Sequence, residues 1–184
     1  MHKLRAFIAL PVRQEVIEAL VGSQRSLVER NPRADVRWTN PATIHLTLFF
    51  IGDILESQVE SVGQILGEAV RGLSPITFWL HHVEALPDTH HPKIITARVW
   101  EDGREAKKLR QRIVSKLNDA GIAGDGKPWV AHITFGRNKT GHALCGLEQP
   151  IEQTKWSVAA IEFMASELTP SGPVHTQIDY FPFA

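Results

Sequence analysis

The chain contains almost no cysteine. Among its 184 residues there is one, Cys145, so an internal disulfide and a cysteine-based metal cluster are both excluded. A lone thiol also fits a reducing compartment. The 43% apolar fraction is ordinary for a globular protein, and residues 1–184 are enough for a single domain with a substantial core.

Net charge and long apolar runs are also missing. The chain has 20 basic and 20 acidic residues, whereas a protein that wraps long nucleic acid would normally be basic. No apolar run approaches the ~20 residues of a membrane span. Arg5, Arg13 and Glu15 interrupt the N-terminal segment, so it lacks the apolar core of a signal peptide. We therefore expect a cytoplasmic protein that does not engage a membrane.

Apolar periodicity predicts alternating strands and helices. The predicted helices cover about 13–29, 54–72 and 104–119, and the predicted strands cover about 4–10, 36–39, 43–51, 75–86, 93–100, 129–137, 156–167 and 174–182. Asp53, followed by Glu56 three residues later, resembles a capping box at the start of the second helix. Residues 140–153 stay ambiguous. Each half of the chain supplies a helix followed by a strand, which predicts an α+β fold of two pseudo-symmetric lobes around a central cleft.

What the chain does contain is a repeated motif. His45-Leu46-Thr47 lies in one predicted strand, and His132-Ile133-Thr134 lies in another. Side chains two residues apart on a strand share a face, so each strand can present an imidazole beside a hydroxyl. Two such strands facing one another would frame one small anion. The imidazoles could then serve as acid and base, and the hydroxyls as donors to phosphoryl oxygens.

An alternative interpretation is that the histidines serve packing and that the threonines merely favour strands. Two accidental copies of the motif, each with an apolar residue after His and after Thr, have a likelihood of about half a per cent. The matching strands therefore favour the functional interpretation.

The motifs and their flanks resemble the 2H phosphoesterase superfamily. Within it, the chain resembles the RNA 2′,3′-cyclic phosphodiesterases, also called 2′-5′ RNA ligases. The matching segments follow the family's order and spacing over nearly the whole chain and are 4–11, 45–53 and 132–137. Two residues depart from the family pattern. Phe49 is bulkier than the small residue expected there, and Gly136 stands where Ala is common.

The resemblance implies a fold and a mechanism. The fold has two α+β lobes with antiparallel sheets, helices on their outer faces and the motifs facing across a groove. The reaction is metal-independent hydrolysis of a 2′,3′-cyclic phosphate to a 2′-phosphate, without a cofactor. The family implies that His45 is the acid for the departing 3′ oxygen and that His132 is the base that activates water. The residues alone do not decide which histidine has which role.

Three further residues are candidates for binding the phosphate. Thr47 and Thr134 would hold its non-bridging oxygens. Arg137 would neutralise charge on phosphorus or grip an adjoining phosphate, although a strand-end surface arginine is the alternative. The family also suggests a base-stacking aromatic. Phe50 lies on the wrong face of an ideal strand and would need a bulge to reach the cleft. Phe49 is the other candidate, and core packing is equally open to both.

Other polar clusters are weaker signals. The histidines at 81, 82, 90 and 91 lack the spacing of a metal site, so we predict no bound metal. Residues 124–127 lack the spacing of a phosphate-binding loop. The third helix carries Arg104, Lys108, Arg112 and Lys116 at four-residue intervals. That stripe indicates a solvated face, with contact to an RNA backbone as the alternative.

Two rival functions remain open at this point. The first is hydrolysis of a 2′-5′ oligonucleotide or of a small cyclic phosphate by the same chemistry. The second is a nucleotide- or RNA-binding module without turnover. Our preferred partner is RNA with a 2′,3′-cyclic phosphate end or a small cyclic nucleotide, bound by a monomer. Run in reverse, the same site could join RNA ends through a 2′-5′ linkage.

Overall fold

The strands and helices alternate along the chain as the apolar pattern predicts. The computed structural model describes residues 2–170 and 172–183. Its helices are α1 (Gln14–Arg30), α2 (Val59–Ala69) and α3 (Glu105–Asp119), with short 3-10 helices at Pro41–Thr43 and Glu56–Gln58. Its strands are β1 (Lys3–Leu10), β2 (Val36–Trp38), β3 (Leu46–Leu55), β4 (Ile76–Leu86), β5 (Ile94–Glu101), β6 (His132–Asn138), β7 (Lys155–Val158), β8 (Ala160–Thr169) and β9 (Gly172–Pro182).

The strands form two antiparallel sheets. The four-stranded sheet has the order β3-β1-β8-β9, and the five-stranded sheet has the order β2-β6-β5-β4-β7. The first motif therefore belongs to one sheet and the second motif to the other. Since β1 pairs with β8, the two ends of the chain meet in the four-stranded sheet. The predicted α+β class with two antiparallel sheets is confirmed.

Each sheet has helices on one face. Helix α2 contacts β9 and α3, and α3 contacts β3, so both cover the four-stranded sheet. Helix α1 contacts β6 of the five-stranded sheet. We call the opposite face of each sheet its cleft face. No helix within residues 2–170 and 172–183 is long and apolar enough to span a membrane.

The basic stripe of α3 makes contacts within its own lobe. Lys116 Nζ lies 2.7 Å from Glu68 Oε2 on α2, and Lys108 Nζ lies 2.8 Å from Glu105 Oε1. Arg112 Nη1 donates to the Ala69 carbonyl at 2.8 Å and so caps the last turn of α2. These contacts agree with a solvated helix face that also joins two helices.

Some predicted boundaries were wrong. Strand β3 does not end at Gly52 but continues to Leu55, because it pairs with β1 as far as Lys3. Gly52, at φ +89°, allows the strand to pass through this point. Asp53 therefore lies in the strand and caps no helix. The predicted strand at 156–167 is divided between β7 and β8, and β6 begins only at residue 132.

The outer edge of β3 is joined to the loop that follows α3. The Asp125 backbone N–H donates to the Phe50 carbonyl, and the Trp129 indole Nε1 donates to the Thr47 carbonyl, both at 3.0 Å. Arg110 of α3 donates to two carbonyls of the same loop. These bonds protect an edge strand and connect the strand of the first motif to the residues just before the second.

We predict that Gly124→Ala destabilises the protein. A Cβ at residue 124 would collide with the Phe49 ring and lie 2.8 Å from the Phe50 carbonyl oxygen. Overpacking of this kind typically costs about 1–3 kcal/mol. Urea unfolding measures the change. Gly126→Ala is the matched control in the same loop, because a Cβ there meets nothing within 4 Å. Equal stability of the two variants would show that the loop does not press on β3.

Candidate active site

The two sheets enclose a cavity of about 360 Å³ that brings together one residue from each motif. Thr47 of β3 and His132 of β6 both line it. The remaining lining combines an apolar group, Leu48, Phe49, Phe50, Leu86, Pro128, Trp129 and Val130, with a charged group, Glu84, Arg98, Arg110, Asp125 and Lys127. His45, Thr134 and Arg137 do not line this cavity. A larger depression of about 770 Å³, between α1 and residues 149–155, contains none of the motif residues.

Both motif histidines are held in the same way. The ring Nδ1 of His45 lies 2.8 Å from the Thr43 carbonyl, and Nδ1 of His132 lies 2.8 Å from the Val130 carbonyl. A carbonyl only accepts hydrogen bonds, so each Nδ1 carries the proton. In each neutral ring Nε2 is then the unprotonated nitrogen. The two rings are thereby fixed in the same tautomer and leave Nε2 for proton transfer.

A third histidine, not identified from the sequence, stands beside His45. The rings of His45 and His175 are 5.3 Å apart and perpendicular, and each lies 5.0 Å from the ring of Phe7. His175 comes from β9, where no motif marks it. Its Nδ1 is buried and has no hydrogen-bond partner among the described residues. Burial also lowers the pKa of His175.

The surroundings lower the pKa of His45 below its ordinary value. Burial is the largest cause, because it disfavours the charged ring. The hydrogen bond to the Thr43 carbonyl acts in the opposite direction, and the positive charge of protonated His175 lowers the pKa further. The free protein therefore favours a neutral imidazole at His45.

A bulge in β3 brings Phe50 to the cleft face. Ala9 of β1 pairs with Thr47, but the preceding Ile8 pairs with Phe49, so Leu48 is an extra residue on β3. This extra residue reverses the alternation, and Phe50 falls on the same face as Thr47. Phe50 is 46% exposed and lines the cavity. The bulge that the sequence alone could not establish is present.

The second motif strand has a bulge at the equivalent place. Thr96 of β5 pairs with Thr134, and the preceding Ile95 pairs with Gly136, so Phe135 is the extra residue. The exposed Arg137 therefore shares the cleft face with Thr134. It pairs with Arg37 of β2. Two cations directly opposite one another are unfavourable without an anion, which makes this position suited to phosphate.

Two more charged residues border His132. Arg98 of β5 is its direct cross-strand partner. The Arg98 guanidinium lies 3.5 Å from the Glu84 carboxylate of β4, and both side chains line the cavity. Neither residue belongs to a motif, so the sequence alone does not mark them as part of the site. Only the strand register shows that they face the second histidine.

Packing explains both departures from the family pattern. Phe49 is 3% exposed, lies against Gly124 and has the Arg110 guanidinium 5.2 Å from its ring centre. Its bulk fills the wall behind the cavity, so Phe49 is a packing residue. Trp38 covers Gly136 so closely that an added Cβ would lie 2.9 Å from the indole. Glycine is therefore the residue that fits beneath this tryptophan.

The histidines considered for metal binding form two separate pairs, and the rings of His81 and His82 contact each other. His81 stacks on Trp100 with ring centres 4.1 Å apart, and His82 lies 4.0 Å from Glu84. The backbone N–H groups of residues 90 and 91 donate to the Asp88 carboxylate in a separate turn. Within residues 2–170 and 172–183, no three His, Cys, Asp or Glu side chains form a group suited to a metal ion.

Comparison with known proteins identifies phosphoesterases as relatives. Residues 10–96, which contain the first motif, match the family model described as LigT-like phosphoesterase. An RNA 2′,3′-cyclic phosphodiesterase of Methanothermobacter thermautotrophicus is 24% identical over 97% of this chain and 98% of its own. The protein of that name from Thermus thermophilus is 29% identical over 97% and 89%.

Solved structures share the fold over the full length. The protein TT0787 of Thermus thermophilus superposes with a TM-score of 0.84 and 25% identity, covering 98% of both chains. LigT of E. coli, solved in complex with 3′-AMP, gives a TM-score of 0.81 at 17% identity, with 100% of this chain and 99% of LigT covered. The chain is thus similar to LigT-like phosphoesterases in sequence over residues 10–96, and it shares their fold over its full length.

We predict that His175→Gln raises the pKa of His45. The substitution removes a charge that disfavours protonation of His45 and leaves a polar side chain in its place. Because burial still acts on His45, the pKa should stay below its ordinary value. An NMR titration of the histidine ring protons measures it. His142→Gln is the control, since His142 is exposed on a distant loop. A pKa of His45 that is unchanged or lower would contradict the coupling.

Proposed function

We propose that this protein hydrolyses 2′,3′-cyclic phosphate ends of RNA to 2′-phosphates without a metal. The observation that supports this most strongly is the matched arrangement of His45 and His132. Each ring has Nδ1 fixed by a carbonyl and Nε2 left for proton transfer. The names of the similar proteins favour the same activity. One chain supplies every residue of the site, so a monomer is sufficient.

The chemistry needs two proton transfers and a place for negative charge. A base takes a proton from water as its oxygen attacks phosphorus, and an acid protonates the ribose oxygen that leaves. Two imidazoles perform both steps. Thr47, Thr134 and Arg137 would hold the non-bridging oxygens, where charge accumulates in the transition state. Nothing in this sequence of steps requires a metal ion or cofactor.

His45 would be the acid and His132 the base, as the family resemblance implies. The lowered pKa of His45 opposes this role in the free protein, because an acid must first be protonated. A bound phosphodiester carries a negative charge, and a negative charge next to an imidazole raises its pKa. Substrate binding would therefore produce the protonated His45 that the reaction needs.

The cavity fits the nucleoside next to the reacting phosphate. Phe50 offers an exposed ring at its wall, and Leu86 and Val130 add apolar surface. Stacking on an aromatic ring is how proteins commonly hold an unpaired base. Glu84 and Arg98 would supply polar contacts beside it. Because the cavity is the size of one nucleoside, small cyclic nucleotides should also be substrates.

The proposal also bears on RNA ligation and on the cellular compartment of the protein. A 5′-hydroxyl that took the place of water would attack the cyclic phosphate and displace its 3′ oxygen, which would leave the two RNA ends joined by a 2′-5′ linkage. The exposed free thiol of Cys145 fits a reducing compartment such as the cytoplasm.

We predict that His45→Ala and His132→Ala each lower turnover of a 2′,3′-cyclic nucleotide by about 10²–10⁴-fold. Each variant lacks one of the two proton-transfer groups. Rates are measured in excess EDTA, so that a contaminating metal contributes nothing. His142→Ala serves as the control variant, and circular dichroism checks the fold. Retention of more than about a tenth of the rate by either variant would exclude the two-histidine mechanism. Dependence of the wild-type rate on added zinc or manganese would exclude a metal-free reaction.

A further inference from the structure

An exposed aromatic cluster lies on the cleft face of the five-stranded sheet. Trp79 of β4 and Trp100 of β5 are direct cross-strand partners, with ring centres 6.2 Å apart. His81 stacks on Trp100 at 4.1 Å and 17°. Lys155 of β7 pairs with Trp79 and holds its ammonium 5.8 Å from that ring. We call Trp79, His81 and Trp100 the indole cluster.

A bulge in β4 orients the His81 side chain toward Trp100. Leu80 pairs with Val99 and Val83 pairs with Ala97, so His81 and His82 together stand opposite Arg98 alone. Bulges re-aim side chains and are frequent beside active sites. Here the bulge places one imidazole against an indole and the other near Glu84.

The cluster continues directly from the cavity. Arg98, which lines the cavity, is the cross-strand partner of His132. Trp100 lies two residues further along β5 and on the same face, a distance of about 7 Å. Val130, two residues before His132 and 44% exposed, lies at the cavity wall on the same side. A ligand that extends out of the cavity past Arg98 would reach Trp100.

Packing within the chain leaves the large apolar side chain of Trp100 exposed to solvent. Its side chain remains 46% exposed although His81 covers one face. The part of the indole that His81 and Trp79 leave uncovered is therefore open to solvent. An exposed indole beside a cation is the combination that single-stranded nucleic-acid sites use, with a π surface for bases and positive charge for the backbone.

We propose that the indole cluster stacks a base of single-stranded RNA on the 5′ side of the reacting nucleotide. This inference rests on the proposed function. A cyclic phosphate closes the 3′ end of its RNA, so every further nucleotide lies on the 5′ side and must leave the cavity. Trp100 would stack the next base, and Lys155 and Arg98 would lie near its phosphates. The cluster would make an oligonucleotide a better substrate than a mononucleotide.

The test compares substrates that do and do not reach the cluster. They are a 2′,3′-cyclic mononucleotide, a trinucleotide with a cyclic phosphate end, and the same trinucleotide without its two 5′ bases. Trp100→Ala should lower kcat/KM for the intact trinucleotide by at least about fivefold, the minimum expected for one stacked base. It should leave the other two substrates unchanged. Trp100→Phe should restore most of the loss, and Val28→Ala, on the exposed side of α1, should change nothing.

The outcomes distinguish a failure of the stacking site from a failure of the proposed function. An equal effect of Trp100→Ala on the mononucleotide and the trinucleotide, or the same loss with the bases removed, would overturn the stacking site. If the wild-type protein turned over none of the three substrates, the proposed function would fail. Fluorescence anisotropy with a labelled oligoadenylate would then test the cluster alone. Binding that Trp100→Ala weakens at least about fivefold would support it, and binding that is unchanged would overturn it.

Discussion

The hydrogen bond from the Trp129 indole to the Thr47 carbonyl joins the two halves of the candidate active site. Thr47 is the hydroxyl residue of the first motif, and Trp129 lies three residues before the histidine of the second. Each lobe can fold its own motif strand by local pairing, but proton transfer at one phosphorus atom requires both strands at a fixed separation. The edge of β3 supplies the acceptors, and the loop after α3 supplies the donors. The contact between Gly124 and Phe49 then sets how closely this loop approaches β3.

The lobes repeat the same local solution. In each lobe, the carbonyl two residues before the histidine fixes its ring, and the threonine follows two residues after the histidine. A one-residue bulge directly after the threonine then brings the side chain five residues after the histidine to the cleft face. In the first lobe that side chain is Phe50, and in the second it is Arg137. One lobe thus offers an aromatic surface and the other a cation, which are the two features that a nucleoside phosphate requires. Under the proposed function, these equivalent positions would contact different parts of one ligand.

The sequence was sufficient for most of the helices and strands, but not for the limits of α2 or the division between β7 and β8. It also pointed to the residues of the two motifs, whose roles stay a prediction. Periodicity predicted α1 and α3 to within one residue at each end, because each buries a regular apolar stripe. The bulges at Leu48 and Phe135 could not be predicted, since an extra residue in a strand leaves no mark in composition or spacing. His175 and Arg98 were missed for a related reason. They reach the site through the pairing of β9 and β5 with their neighbours, and strand register is a property of the whole sheet.

Burial sets the protonation state from which His45 starts. His45 is buried beside Phe7 and His175, which favours its neutral form. In the proposed reaction it would become a suitable acid once an anionic substrate is bound. The most direct test of the acid/base pair is the pH dependence of turnover of a 2′,3′-cyclic nucleotide by the wild-type protein. We expect bell-shaped profiles whose limbs both lie within a few units of neutrality. The alkaline limb of kcat should lie at higher pH than that of kcat/KM, because kcat reports the substrate complex and kcat/KM the free protein. A flat profile between about pH 5 and 9 would contradict a mechanism in which two imidazoles transfer the protons.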